Sequence, residues 1–284
     1  MSIAMPLNVP MKPGQKSSIE RERPGSERRA PARLVPWETA QSEPGGCSVL
    51  QPLLAFGAHP DDIEFGCGGV IAKETRAGRR AHFVVCSRGE AGTHGTPTQR
   101  VAEAKKSAAR LGATVEFIKL DGDAHLEVRV AHAIKLAGIL RRVRPGMVLA
   151  PSLVENQHPD HAKLGQLARD AARLARYGGL KELRRIRPHA IEQLFFFAVT
   201  PEAEPSGITP VLIDVSAPEI MAAWTAAMEA HVSQVSARGY VELQLTRARL
   251  RGLRAGIGYA IALFPNDLLV LDSLAQIGRS ARRF

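Results

Sequence analysis

The chain has 284 residues, 45% of them hydrophobic, with three cysteines and a formal net charge of +10. That length suits one large domain or one domain with extensions, and no apolar run approaches the ~20 residues that a membrane span needs. Cys47, Cys67 and Cys86 are odd in number and scattered, so they form no disulfide framework and fit a reducing, cytoplasmic compartment.

Residues 1–46 are rich in Pro, Ser, Gly, Glu and Arg and show no apolar periodicity. They carry no continuous apolar core or small-residue cleavage site, and are expected to form a disordered leader ahead of a single domain over residues 47–284. From Val49 the texture changes. "VLQPLLAFGA" reads as a buried strand, followed after a loop by a helix over 64–77. "AHFVVCS" is a second strand, "TQRVAEAKKSAARLG" a helix closed by Gly112, and "ATVEFIKL" a third strand. A helix over 128–144 ends at Arg-Pro-Gly, "MVLAP" is a fourth strand, and a helix over 160–177 runs up to Gly178-Gly179. "IEQLFFFAV" and "VLIDV" are further strands, and helices follow over 218–232 and 240–256.

This alternation, with short links, predicts an α/β fold: a Rossmann-like parallel sheet with helices on both faces, plus a C-terminal strand and helix extension. If the first four strands take the order 3-2-1-4, strands 1 and 4 are neighbours at the switch point, where ligands bind outside the carboxyl ends of the strands. His-Pro-Asp occurs after each of these two strands, in "GAHPDDIEFGCGG" (57–69) and in "NQHPDH" (156–161). Turn chemistry alone explains either one, but not their convergence on one crevice.

A dinucleotide site would need G-x-G-x-x-G at the first turn; the bulky, acidic "GAHPDDIEFG" does not supply it. A metal site fits better. His59, Asp62 and His161 make a set of two imidazoles and one carboxylate, which for zinc leaves a fourth position for water. Asp61 is then placed to act as a base, His158 to stabilise an oxyanion or protonate a leaving amine, and Asp160 to orient His158. Taken singly, Asp61 and Asp62 would more often be helix caps and His161 a surface residue; the combination favours chemistry.

At these residues the chain resembles the PIG-L/LmbE-type zinc-dependent N-deacetylases, which remove acetyl groups from N-acetylglucosamine conjugates and include the enzymes of glycosylphosphatidylinositol, mycothiol and bacillithiol synthesis. The family's A-H-P-D-D-E stands here as "AHPDDIE" followed by "GCGG", and its H-P-D-H is intact at 158–161. "SRGEAGT" at 87–93 and "RVAEAKKSAARLG" at 100–112 are also similar to family segments, and the resemblance runs from Leu53 to Arg176. The end, "RARLRGLRAGIGYAIALF", resembles the bacillithiol branch more weakly.

The resemblance implies one zinc ion per chain on His59, Asp62 and His161, with Asp61 as general base and His158 as transition-state stabiliser. It further implies substrate contacts by Arg100 and by Asp121 or Asp123. Some members place a Tyr where this chain has Asn156, so the oxyanion donor is either the Asn156 amide or another residue.

The implied function is zinc-dependent release of acetate from an N-acetylated amino sugar held as a small-molecule conjugate. The alternatives are an amidase removing a larger acyl group from a sugar-thiol conjugate, and a non-catalytic sugar-binding protein. The basic residues lie at helical spacing over 163–187 and 238–254 without a nucleic-acid motif, so nucleic acid is not an expected partner. A homo-oligomer without a membrane span is expected.

Overall fold

Largely apolar runs of four to six residues, bounded by turn residues and mostly followed by amphipathic stretches, build one layered α/β unit. The computed structural model describes residues 50–155, 158–236, 239–278 and 280–281; the leader expected over residues 1–46 lies outside the described residues. The strands are β1 (Leu53–Gly57), β2 (Ala81–Val85), β3 (Ala113–Phe117), β4 (Met147–Pro151), β5 (Gln193–Phe197), β6 (Val211–Asp214) and β7 (Ala260–Pro265). The helices are α1 (Asp62–Arg76), α2 (Pro97–Arg110), α3 (Val130–Val143), α4 (Pro159–Ala175), α5 (Pro218–Glu229), the single turn α6 (Val232–Val235) and α7 (Tyr240–Arg254). None of the described helices is long and apolar enough to cross a membrane.

The strands form one sheet in the order β3-β2-β1-β4-β5-β7-β6. The expected 3-2-1-4 order is present, and β1 to β5 are mutually parallel. β7 is an addition to the predicted strands. It runs antiparallel to both β5 and β6 and separates them, so the sheet is mixed at this end. "AIALFP" is apolar at nearly every position because β7 is covered on both faces, and such a run lacks the period-2 signature of a half-buried strand.

Successive side chains of a strand point to opposite faces. Leu53 and Ala55 therefore join the core beneath α1, α2, α5 and α7, while Leu54 and Phe56 join the one beneath α3 and α4. The glycines of "FGCGG" serve close packing rather than phosphate binding: a Cβ on Gly66 would run into the Phe197 ring of β5. Trp224 of α5 reaches over this part of α1 and donates its Nε1 hydrogen to Glu64 O at 2.8 Å. The arginine content is not all surface. Arg141 of α3 is buried and donates to the carbonyls of Ala175, Tyr177, Leu183 and Ile186, which fastens the end of α4 and the following loop.

Candidate active site

β1 ends at Gly57, and the chain turns through Ala58-His59-Pro60-Asp61 before α1 begins at Asp62. The Asp62 carboxylate fixes this turn, since its Oδ2 accepts the backbone N–H groups of Ala58 at 2.8 Å and His59 at 2.9 Å. Asp61 is the N-cap residue of α1 by position, but its side chain makes no capping bond, and its φ of 140° lies where L-residues rarely go. The carboxylate thus faces the crevice rather than the helix end.

On the neighbouring strand, β4 ends at Pro151 and α4 begins at Pro159 with His158 before it. Gly165 lets α4 lie against the end of β4, because a Cβ there would strike Pro151 O. His161, on the first turn of α4, returns its imidazole towards β1.

Three donor groups meet there. His59 Nδ1 and His161 Nε2 are 3.2 Å apart, Asp62 Oδ1 is 3.0 Å from His161 Nε2, and Asp62 Oδ2 is 3.6 Å from His59 Nδ1. Two ring nitrogens facing each other can share at most one proton, and the carboxylate converges on the same point. A divalent cation accepting all three lone pairs satisfies this donor set, which matches that of open, catalytic zinc sites. The opposite edge of His59 is held from behind, with Nε2 3.1 Å from Asp123 Oδ1 and 3.4 Å from Asp160 Oδ2, an arrangement that fixes ring orientation in metal-binding histidines. Two overlapping groups also bring possible ligand atoms within 4.8 Å of one another: His59 with His158 and His161, and His59 with Asp123, His158 and Asp160. The sets use different edges of His59: Asp62 lies on the Nδ1 side, with its Oδ1 turned to His161, whereas Asp123 and Asp160 lie on the Nε2 side and each also accept a backbone N–H, from Ala91 at 3.1 Å and Ala124 at 2.8 Å.

The charges follow from burial and proximity. Burial opposes protonation of His59, but the Asp62 charge and the hydrogen-bonding carboxylates of Asp123, Asp160 and Asp62 hold it well above its ordinary value. Burial pushes Asp62 up, yet the His161 and His59 charges bring it well below the usual carboxylate range. Asp61 is pushed up to about 6, first by burial and then by the charge of Asp62, while Arg100, His231 and His59 pull the other way.

His59, Asp61, Asp62 and His161 line one pocket of about 390 Å³ together with Arg100, Asp123 and His158. Arg100 of α2 is buried; its Nη1 donates to Gly89 O at 3.2 Å and its Nη2 lies 3.5 Å from Asp61 Oδ2. Between Asp121 and Asp123 the structure distinguishes. Asp121 does not line the pocket: it accepts the N–H of Glu127 and pairs with Arg129 and His132. Asp160, expected to orient His158, has a possible ligand atom within 4.8 Å of one on His158. Its carboxylate turns to His59 and Ala124, and Asp123 stands beside His158, with Oδ1 3.6 Å from His158 Nε2. Asn156, one candidate for the oxyanion donor, lies outside the described residues.

Sequence reasoning missed the other side of the pocket. Val199, Thr200, Gln234, Tyr240, Leu243 and Gln244 complete it from the C-terminal third of the chain. They are brought there by "HVSQ" at 231–234. Buried His231 faces Glu64 at 3.4 Å, and Ser233 donates its N–H and hydroxyl to Glu103 of α2 at 3.0 and 2.6 Å. No local spacing announces such long-range contacts; an unexplained His-Val-Ser-Gln is the signal that the sequence offers.

The model of the PIG-L family, GlcNAc-PI de-N-acetylase, matches residues 54–172. The chain is 30% identical over 163 residues to diacetylchitobiose deacetylase of Thermococcus kodakarensis, covering 52% of this chain and 60% of that protein. It is 32% identical over 161 residues to 4-oxalmesaconate hydratase of Pseudomonas putida, covering 49% of this chain and 62% of that one. The chain thus spans about three fifths of the length of these curated relatives. Among solved structures, a conserved protein from Thermus thermophilus superposes with a TM-score of 0.70 at 30% identity, covering 81% of this chain and 100% of that one.

Proposed function

Because the chain belongs to the PIG-L family, we propose that it is a metal-dependent hydrolase that removes the acetyl group from an N-acetylated amino sugar. The observation that carries this reading is the convergence of His59, Asp62 and His161, with Asp61 and His158 lining the same pocket. Similarity to a diacetylchitobiose deacetylase supports the substrate class.

In this reading His59, Asp62 and His161 hold one zinc ion. Bound there, zinc supplies Lewis acidity, polarising the amide carbonyl and acidifying a water. The chain's own groups do the rest. Asp61 takes a proton from the attacking water. His158, whose side chain is 35% exposed and steadied by Asp123, carries positive charge beside the developing oxyanion and then gives a proton to the leaving amine. Arg100 binds a sugar hydroxyl. The C–N bond breaks, water is consumed, and acetate and a free amine leave. The pocket, about 390 Å³, lies within the ~300–1,000 Å³ usual for ligand sites.

Similarity to a hydratase supports a second reading, addition of water to a double bond. A substrate with several carboxylates is disfavoured by the pocket's charges, since Asp61, Asp62 and Asp123 all line it and Arg100 already faces Asp61. The deciding experiment loads the protein with zinc, measures its metal content, and follows acetate release from N-acetylglucosaminides beside loss of absorbance from conjugated unsaturated acids. Stoichiometric metal with acetate release is expected. Absorbance loss without acetate release would replace deacetylation with hydration.

A further inference from the structure

The pocket has two unlike sides. The groups assigned to metal binding and proton transfer come from residues 59–161, and the facing side comes from 199–244, beyond the segment matched by the family model. Tyr240 opens α7 and lies 5.9 Å, ring centre to ring centre, from Phe65, which also lines the pocket. Leu243, three residues along α7, lines the pocket and is 38% exposed. Of the polar side chains on this side, Gln244 and Gln234 are engaged, and Thr200 also lines it. Gln244 Nε2 donates to Val199 O at 2.9 Å and its Oε1 accepts from Arg247 at 2.6 Å; Gln234 Nε2 donates to His94 O at 3.0 Å. Arg247 is itself held by the Val199 carbonyl and the Glu204 carboxylate. Among the described residues, none that lines this side is basic.

From these two sides we infer that Phe65, Tyr240 and Leu243 form the aglycone subsite, and that it takes an uncharged group with an aromatic or apolar face. The inference rests on the amino-sugar deacetylase reading. An amino sugar bound with its N-acyl group at His59, Asp62 and His161 directs its remaining substituent towards α7. An aromatic ring there is covered by Tyr240 and Leu243, and Tyr240 combines a large contact area with few rotatable bonds. A carboxylate or phosphate would leave water for a side on which no described residue carries a counter-charge, and a buried charge is strongly disfavoured unless it is paired.

The test compares phenyl, methyl and 4-carboxyphenyl N-acetylglucosaminides on the zinc-loaded wild type and on Tyr240→Ala and Leu243→Ala, recording binding by ligand-observed NMR and acetate release separately. The phenyl glycoside is expected to bind about 10-fold or more tightly than the methyl one, within the range that apolar pocket contacts discriminate, and the 4-carboxyphenyl glycoside more weakly than the phenyl. Tyr240→Ala should erase the phenyl advantage, weakening the phenyl glycoside more than the methyl one. Leu243→Ala, at a more exposed position, should halve it or more even if Tyr240→Ala fails to fold. Equal binding of phenyl and methyl, tighter binding of the carboxylate, a phenyl advantage that survives in the folded variants, or no binding of any glycoside would each overturn the subsite. Selective binding without acetate release from any glycoside would leave the subsite standing and remove the deacetylase reading instead.

Discussion

Asp61 occupies a backbone conformation that most side chains resist, so its replacement must be chosen for shape. Asp61→Asn keeps the side-chain outline and leaves His59, Asp62 and His161 untouched. It should retain zinc while losing about 10²–10⁴-fold in kcat, the usual worth of a positioned base. Zinc analysis beside acetate release checks this, and a variant with zinc bound and wild-type kcat/KM would leave Asp61 with a structural role alone. The pH profile has a sign as well. A base works ionised, and Asp61 is pushed up to about 6, so kcat/KM should fall as pH drops through that region; a bound cation favours the carboxylate and moves the limb lower. Much at this scale was legible. His59, Asp62 and His161 could be picked out by residue type and spacing, because a strand end and a helix start are local structures that spacing describes. Choosing between Asp121 and Asp123 was beyond it: the loop at Gly122, with φ of 109°, turns one carboxylate to the pocket and the other to Arg129 and His132.

The elements that frame the site depend on how closely α1 approaches the sheet. Gly66→Ala places a methyl against the Phe197 ring, and overpacking of this kind costs about 1–3 kcal/mol. Thermal or urea unfolding should show that loss; an unchanged midpoint would mean that Phe197 moves aside freely. The tie between α1 and the turn before α6 is electrostatic. Burial works against protonating His231, but the Glu64 charge and hydrogen bond, and then Asp61 and Glu103, raise it above its ordinary 6.5. Such a group contributes stability that is full below about 6.5 and is lost as pH rises through the higher folded value. Wild type should therefore lose more stability than His231→Gln as pH rises above 6.5, and parallel curves of unfolding midpoint against pH would rule out the linkage. Parallel strands and their crossover helices could be read from the sequence because each repeats a local pattern. β7 could not, since only its neighbours on both sides make "AIALFP" a strand. The contribution of Tyr240 and Leu243 to the pocket was hidden for the same reason: it depends on where α7 docks.

For the molecule as a whole, the site concentrates negative charge in the interior. Asp62, Asp123 and Asp160 are each at most 3% exposed and all face His59. A cation there relieves their repulsion and binds the folded chain in preference to the unfolded one. Zinc at 100 times its Kd stabilises by about 2.7 kcal/mol, which for a chain of this size raises Tm by roughly 5–10 °C. Chelation should lower Tm by that amount, added zinc should restore it, and His161→Ala should abolish the response. An identical melting curve with and without chelator would mean that no metal is bound. The order β5-β7-β6 also has a consequence for biosynthesis. β6 leaves the ribosome well before β7, yet among the described strands it pairs with β7 alone. A nascent chain stalled before Ala260 thus carries β6 with both edges open and β5 with an uncovered flank, the condition in which strands recruit other chains. Completion of the sheet waits on Ala260–Pro265, and ribosome-bound chains should change from protease-sensitive to resistant over β6 when that segment clears the exit tunnel.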